Sequence, residues 1–337
     1  MAVDCGFRVA LPPLGSVCFV DRGLEFERLW GLLGRGAGVP LLVYGPEGCG
    51  KSTLLRYLAW RASRDGAVAV YIDALSGGDP EEAVYPLTAA LREIVDEVAG
   101  AAGGAAGRVL AGRIGALVAR IVERLEASGR RVLLVVDDVY QAIGVEEASA
   151  YTKRLYELIH RLYEAGAGSV LVVAATSEGV SRRILARHSY VLPQMLWNLG
   201  RSGLQELVSQ VDAPLPPETL WRLTGGNPRA LSQLATLGWD VDSWLGLLAV
   251  ERIRPLLDSI GRERLKRLVE DPDSDPEAAS ILEEHNLMIR LSREASLGEA
   301  PEPDTELGIG RDWAWQLPAL RLAAEKLLTR TKGREGL

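Results

Sequence analysis

The segment Gly45-Pro46-Glu47-Gly48-Cys49-Gly50-Lys51-Ser52-Thr53 follows the apolar run Pro40-Leu41-Leu42-Val43-Tyr44 and precedes an apolar, helix-like stretch beginning at Leu54. A buried strand, a glycine-rich turn and a helix in that order commit this part of the chain to an α/β unit. The spacing GxxxxGK[ST] has a chemical reading. Glycines let successive backbone N–H groups turn inward around phosphates, and the following helix directs its positive end at them. Lys51 reaches the β- and γ-phosphates, and Ser52 supplies a hydroxyl to Mg²⁺. The expected phosphate contacts are Pro46, Glu47, Gly48, Cys49, Gly50, Lys51, Ser52 and Thr53, and the expected ligand is a nucleoside triphosphate. A glycine turn without a ligand is the alternative, and the strand before and helix after argue against it.

A second cluster lies far along the chain. Arg131-Val132-Leu133-Leu134-Val135-Val136-Asp137-Asp138 is a continuous apolar run ending in two carboxylates. Such a run suits a buried parallel strand that delivers acid to its C-terminal edge, where ligands of open α/β sheets bind. Asp137 is then the Mg²⁺ residue, through water, and Asp138 orients or deprotonates the attacking water. The competing reading of Asp138 is an acidic helix N-cap after a core strand.

Length and composition allow a domain of about 200 residues plus something smaller. Of the 337 residues, 47% are hydrophobic and 25% charged, as expected of a folded cytoplasmic protein, and no apolar stretch approaches a membrane span. The N-terminus shows no secretory pattern. Cys5, Cys18 and Cys49 have no metal-ligand spacing with His160, His188 and His285. They read as packing or loop residues, with a Cys5–Cys18 bridge as the alternative in a hyperthermophilic host. The formal charge is −7, and residues 245–337 carry 14 Lys+Arg against 18 Asp+Glu. No broadly basic nucleic-acid surface is expected, so any DNA contact is local. Scarce Lys, Asn, Gln, Cys and Met fit a thermophilic source or a biased genome.

The remaining pattern alternates strands and helices. A helix is expected over 24–33, a second strand over 67–73, and helices over 80–98 and 108–128 around a mobile glycine/alanine loop, 100–107. A helix over 146–165, a fourth strand over 169–175 and a short fifth over 190–192 complete a parallel sheet covered on both faces. Downstream the pattern is helical: 202–210, 217–223 and 229–236, then 246–257, 261–269 and 277–284. Leu287–Leu291 reads as a strand, followed by a charged loop and a helix over 317–328. Two tryptophans, Trp313 and Trp315, read as packing anchors, with a partner groove as the alternative.

Taken together these residues resemble the archaeal ATPase family of P-loop proteins, related to the signal-transduction ATPases with numerous domains and to origin-recognition initiators of the AAA type. The resemblance is carried by Phe19-Val20-Asp21-Arg22 with Glu25, the Gly45–Thr53 loop (Walker A), the acidic strand (Walker B), Val170–Ser177, and Thr224-Gly225-Gly226-Asn227-Pro228-Arg229-Ala230-Leu231. It covers about 19–240 and implies a parallel P-loop NTPase sheet of order 5-1-4-3-2 over 1–200; the helical pattern reads as a lid over 201–244, and helices followed by a strand and wing-like loop read as a winged-helix-like domain over 245–337. The resemblance implies ATP/ADP and Mg²⁺ as cofactors, Val20 and Arg22 on the nucleotide's adenine side, and Thr176 or Ser177 as sensor of the γ-phosphate. Pro228 opens the lid helix close to the nucleotide, Arg229 is a phosphate-sensing arginine, and Arg182 or Arg183 is an arginine finger to a neighbouring subunit. A polar strand cap for Thr176 and solvated helix charges for Arg182 and Arg183 are the plain alternatives.

Two positions depart from the family pattern. Asp138 stands where glutamate is frequent, which implies slow, switch-like turnover, and Gly23 replaces a glutamate. No guanine-reading Asn-Lys-x-Asp or Thr-Lys-x-Asp sequence is present, so ATP is preferred. The expected activity is Mg²⁺-dependent ATP hydrolysis that moves the lid and C-terminal domain. Alternatives are a nucleotide-gated switch with a protein partner or self-association, and an initiator-like ATPase that binds DNA through its C-terminal domain. No membrane partner is expected.

Overall fold

Four apolar runs, each long enough for one buried strand, become neighbours in a single sheet. The computed structural model describes residues 4–77, 83–86, 89–100, 106–124, 129–177, 179–185 and 187–330. Its strands are, in chain order, β1 (Asp4–Ala10), β2 (Ser16–Phe19), β3 (Leu41–Tyr44), β4 (Val68–Asp73), β5 (Val84–Tyr85), β6 (Arg131–Asp137), β7 (Ser169–Thr176), β8 (Leu192–Met195), β9 (Met288–Arg290) and β10 (Trp313–Trp315). The chain divides into two compact units, one of residues 24–44 and 51–194, the other of residues 1–23, 45–50 and 195–337.

The first of these carries the sheet, ordered β5-β4-β6-β7-β3-β8. β3, β7, β6 and β4 run parallel, and β5 pairs antiparallel with β4. The sheet is therefore mixed, which corrects the all-parallel expectation. Val84–Tyr85 is a strand where the sequence pattern predicts a helix over 80–98, and the helix there spans Ala89–Gly100. The register sets Tyr44 beside Thr176, and Asp137 beside both Ala175 and Asp73. Four strand ends therefore finish flush along one edge.

Side chains alternate between the two faces of a strand. Val68, Val70, Ile72, Val132, Leu134, Val136, Val170, Val172 and Ala174 form one core with residues of helices Ala89–Gly100, Ile114–Arg124 and Ala148–Glu164. The helix Lys51–Arg64 packs on β4 and β6 and buries Leu54, Leu55 and Leu58. The helix expected over 108–128 is two, Ala106–Gly112 and Ile114–Arg124, with the break at Arg113; 125–128 lie outside the described residues, as do 101–105 of the glycine/alanine loop. The fifth strand runs over Leu192–Met195, later than the expected 190–192.

In the second unit the segments expected as lid and C-terminal domain share one hydrophobic core. Leu204, Leu220, Leu231, Trp244, Leu265, Leu282, Trp315 and Ala323 all belong to it. The polar residues between apolar runs fix its helix starts: Asn227, Asp240 and Asp275 each accept a backbone N–H three residues on, from Ala230, Ser243 and Ala278. Pro217, Pro228 and Pro276 occupy first-turn positions where a missing N–H costs nothing. The single helix expected over 246–257 is divided: the α-helix Val241–Leu248 gives way to a π turn over Ala249–Ile253 and a 3₁₀ turn over Arg254–Leu256. Pro255 lacks the N–H that an α-helix would need there.

Helices Arg262–Glu270 and Pro276–Glu284 lead into an antiparallel ribbon of β9 and β10, and helix Pro318–Arg330 follows. The Asp273 carboxylate accepts from the N–H groups of Arg311, Asp312 and Trp313 at 2.6, 3.1 and 2.8 Å, fixing the return of the ribbon. β10 was not legible as a strand. Trp313 and Trp315 are buried, as packing anchors should be.

β1 and β2 form a hairpin closed by a Cys5–Cys18 disulfide. Of the two readings of these cysteines the bridge is the one found, and Cys49 is not bridged. Its sequence separation of 13 residues removes denatured-state entropy equivalent to about 3 kcal/mol in the chain-entropy picture. The double variant Cys5→Ser/Cys18→Ser is expected to lose about that much stability in chemical denaturation of the second unit; an unchanged midpoint would contradict the bridge.

Candidate functional site

The phosphate-loop segment crosses from one compact unit into the other. Gly45–Gly50 belongs to the second unit, and Lys51, Ser52 and Thr53 form the first turn of helix Lys51–Arg64 in the first.

Within the second unit the loop is held on every side. A Cβ on Gly45 would fall 1.9 Å from Leu196 O, and one on Gly48 2.3 Å from the Arg229 Cβ. Gly48 also has φ +78°, a conformation that side chains resist. Only glycine fits either place. The Glu47 N–H donates to Gln316 Oε1 at 2.9 Å, and the Glu47 C=O accepts from Asn227 Nδ2 at 2.9 Å. Arg229 Nη1 meets the Glu47 carboxylate at 2.5 Å. Arg22, buried, gives one terminal nitrogen to Cys49 O at 2.6 Å and to Trp197 O at 2.8 Å.

The expected adenine-side residues are thereby placed. Arg22 grips the loop's own backbone, and Val20 is buried in the second unit's hydrophobic core. Pro46 and Cys49 are buried, and Pro228 is the first residue of helix Pro228–Thr236, immediately before Arg229.

Within the first unit Lys51 is buried at the start of its helix, whose first turn holds no acidic residue. Asp137 ends β6 at 2% exposure. One of its oxygens accepts the Tyr71 hydroxyl at 2.5 Å, the other the Asp138 N–H at 3.1 Å. Burial and the Asp137 charge hold the Tyr71 phenol well above the usual tyrosine value, so Tyr71 is the donor. Arg56 lies over the Tyr71 ring at 5.0 Å and pairs with Asp73 at 3.3 Å.

Asp138 takes φ 51° and ψ 25°, the left-handed region, at the start of the short helix Val139–Ile143, and its side chain makes no capping bond. The N-cap reading of its carboxylate is therefore not realised. Asp and Asn tolerate that backbone better than longer side chains. This gives a backbone reason for aspartate where glutamate is frequent. Thr176 is buried at the end of β7, and Ser177 follows it half-exposed. Arg183 lies in helix Gly179–Leu185, and the side chain of Arg182 lies outside the described residues.

The donors suit Mg²⁺. It is a hard cation that takes one or two protein oxygens and completes its shell with phosphate and water. Ser52 and Asp137 offer such oxygens, and among the described residues no cluster of three His, Cys, Asp or Glu offers a protein-only cage. No helix among the described residues is long and apolar enough to cross a membrane.

Residues 19–234 match the family described as an ATPase domain predominantly from Archaea. The chain belongs to this family. Similarity to solved structures extends to AMPPCP-bound DnaA from Aquifex aeolicus, at 17% identity over 75% of this chain and 70% of that one, with a TM-score of 0.38. A second is the replication initiator DnaA bound to AMPPCP and single-stranded DNA, at 13% identity over 78% and 85%, with a TM-score of 0.41. No curated protein matches the chain. The ATPase-domain match contains the phosphate loop, both aspartates and Asn227, and it ends before Gln316.

Sequence reading missed Tyr71, Asn198 and Gln316. Tyr71 left one signal, a polar aromatic in an apolar strand two residues before Asp73. Tyr71→Phe is expected to cost about 1.5–3 kcal/mol of stability, because it strands a buried carboxylate oxygen. Denaturant unfolding measures it; an unchanged midpoint would show that Asp137 does not depend on the phenol.

Proposed function

We propose that this ATPase-family protein binds Mg-ATP on Gly45–Thr53 and hydrolyses it slowly, using the nucleotide state to switch residues 201–337. The observation that carries the reading is the glycine-dependent loop running into a buried Lys51 at a helix start, with Asp137 at the end of a central strand. Loop N–H groups and Lys51 bind the phosphates. Ser52 and Asp137 would hold Mg²⁺, which would neutralise phosphate charge when bound. Asp138 orients the attacking water, and Thr176 or Ser177 senses the γ-phosphate.

Arg229 serves as the phosphate-responsive arginine. Its pair with Glu47 is more than half exposed on the arginine side, and exposed pairs contribute about 0–1 kcal/mol. A phosphate group competes with such a pair at little cost. The residues 245–337 act as the output, in a winged-helix-like arrangement, on a protein partner or a second copy of the chain. Their 14 Lys+Arg against 18 Asp+Glu favour a protein over DNA.

A switch with negligible turnover is the second reading, and the left-handed backbone at Asp138 favours it, because it holds a short carboxylate in place of a longer one. Phosphate release and Mg-ATP binding measured on the same samples separate the two. Wild type is expected to bind Mg-ATP and release phosphate, Lys51→Ala to lose binding, and Asp138→Asn to keep binding and lose turnover by about 100-fold or more, the scale of a lost catalytic base. Equal phosphate release from wild type and Lys51→Ala would sink the enzymatic reading.

A further inference from the structure

Three side-chain amides from distant parts of the chain form one network around Glu47 of the phosphate loop, and two of them bond its backbone. Asn198 follows β8, Asn227 caps helix Pro228–Thr236, and Gln316 follows β10; all three are at most 5% exposed. Gln316 Oε1 accepts the Glu47 N–H at 2.9 Å, and Asn227 Nδ2 donates to the Glu47 C=O at 2.9 Å. Asn198 ties the two together: its Oδ1 accepts from Asn227 Nδ2 at 2.8 Å, and its Nδ2 donates to the Gln316 C=O at 3.1 Å. Gln316 is itself anchored to β9, its N–H on Leu287 O at 2.9 Å and its Nε2 on Met288 O at 3.4 Å.

The consequence follows from peptide planarity. The N–H of a residue lies in the plane of the preceding peptide, and its C=O in the plane of the next. Gln316 therefore fixes the Pro46–Glu47 plane and Asn227 the Glu47–Gly48 plane. In a trans peptide the N–H points opposite to the C=O, so holding the Glu47 C=O on Asn227 turns the Gly48 N–H away from Asn227. Two successive planes at the start of the loop are set by side chains from outside it. Buried amide networks of this kind are rigid when fully paired, and removing one member strands its neighbours.

We propose that Gln316 is a positioning residue for the phosphate loop, through which the β9–β10 ribbon sets the loop's affinity for nucleotide. Gln316 lies outside the 19–234 family match, so this is a property of the longer chain. The proposal rests on the nucleotide reading of the loop for its affinity consequence, but the grip itself is testable without nucleotide.

The test uses the full chain and the near-isosteric variant Gln316→Met, which keeps volume and removes the acceptor. Amide exchange of Glu47, measured without nucleotide, is expected to speed up in Gln316→Met while the helix 262–270 keeps its protection. Binding of Mg-ATP by calorimetry is expected to weaken about three- to tenfold, the range of one hydrogen bond, with kcat at saturating ATP near wild type. Gln316→Glu, which keeps an acceptor, is expected to restore the slow Glu47 exchange, and it serves as the deciding variant if Gln316→Met loses its fold. Unchanged Glu47 exchange in Gln316→Met, or fast exchange in a folded Gln316→Glu, would overturn the grip. Wild-type Mg-ATP affinity in a Gln316→Met protein whose Glu47 exchanges fast would overturn its role in affinity. If wild type itself binds no Mg-ATP, the nucleotide reading fails, and the exchange result still decides the grip.

Discussion

Cys49 N–H closes on Pro46 O at 3.2 Å inside the loop Gly45–Gly50, and contacts from elsewhere in the second unit fix the peptides around it. That dependence organises the second unit of this protein. Gly45 and Gly48 lie where no side chain fits, against Leu196 and Arg229. Arg22, Asn227 and Gln316 take loop carbonyls and N–H groups into a buried polar network. The same residues are fixed by the element ends they occupy. Asn227 is a helix cap, and Gln316 sits where β10 gives way to helix Pro318–Arg330.

The first unit answers a complementary constraint. A carboxylate at 2% exposure is costly unless hydrogen-bonded, and Asp137 receives Tyr71 and the Asp138 N–H. Register then does the rest. Because β3, β7, β6 and β4 finish flush, the acid, Thr176 and the strand leading to the loop end along one edge. No loop has to carry the acid there.

Much of this was legible in the residues. Continuous apolar runs announced β3, β4, β6 and β7, because buried parallel strands need both faces apolar. The loop and the two aspartates stood out for the chemistry they support. What was missed has physical reasons. β5 is two residues long and lies next to residues that pattern as helix. β10 is three residues whose tryptophans pack equally well in a helix or a strand, and only the pairing with β9 decides between them. Gln316 and Asn198 carry no periodicity or motif, since an isolated amide gains its role from a contact across the fold. The hold of Arg22 on Cys49 O and Trp197 O was likewise not legible, because a guanidinium's backbone partners are set by contacts across the fold.

In the proposed reading Gly45–Thr53 and Asp137 both serve Mg-ATP. A crystal structure of the full chain with Mg²⁺ and a non-hydrolysable ATP analogue decides it. The expected result is the analogue's phosphates on the loop N–H groups and Lys51, with Mg²⁺ on Ser52 and the Asp137 side. An analogue bound elsewhere, or no analogue on the loop at saturating concentration, would contradict it.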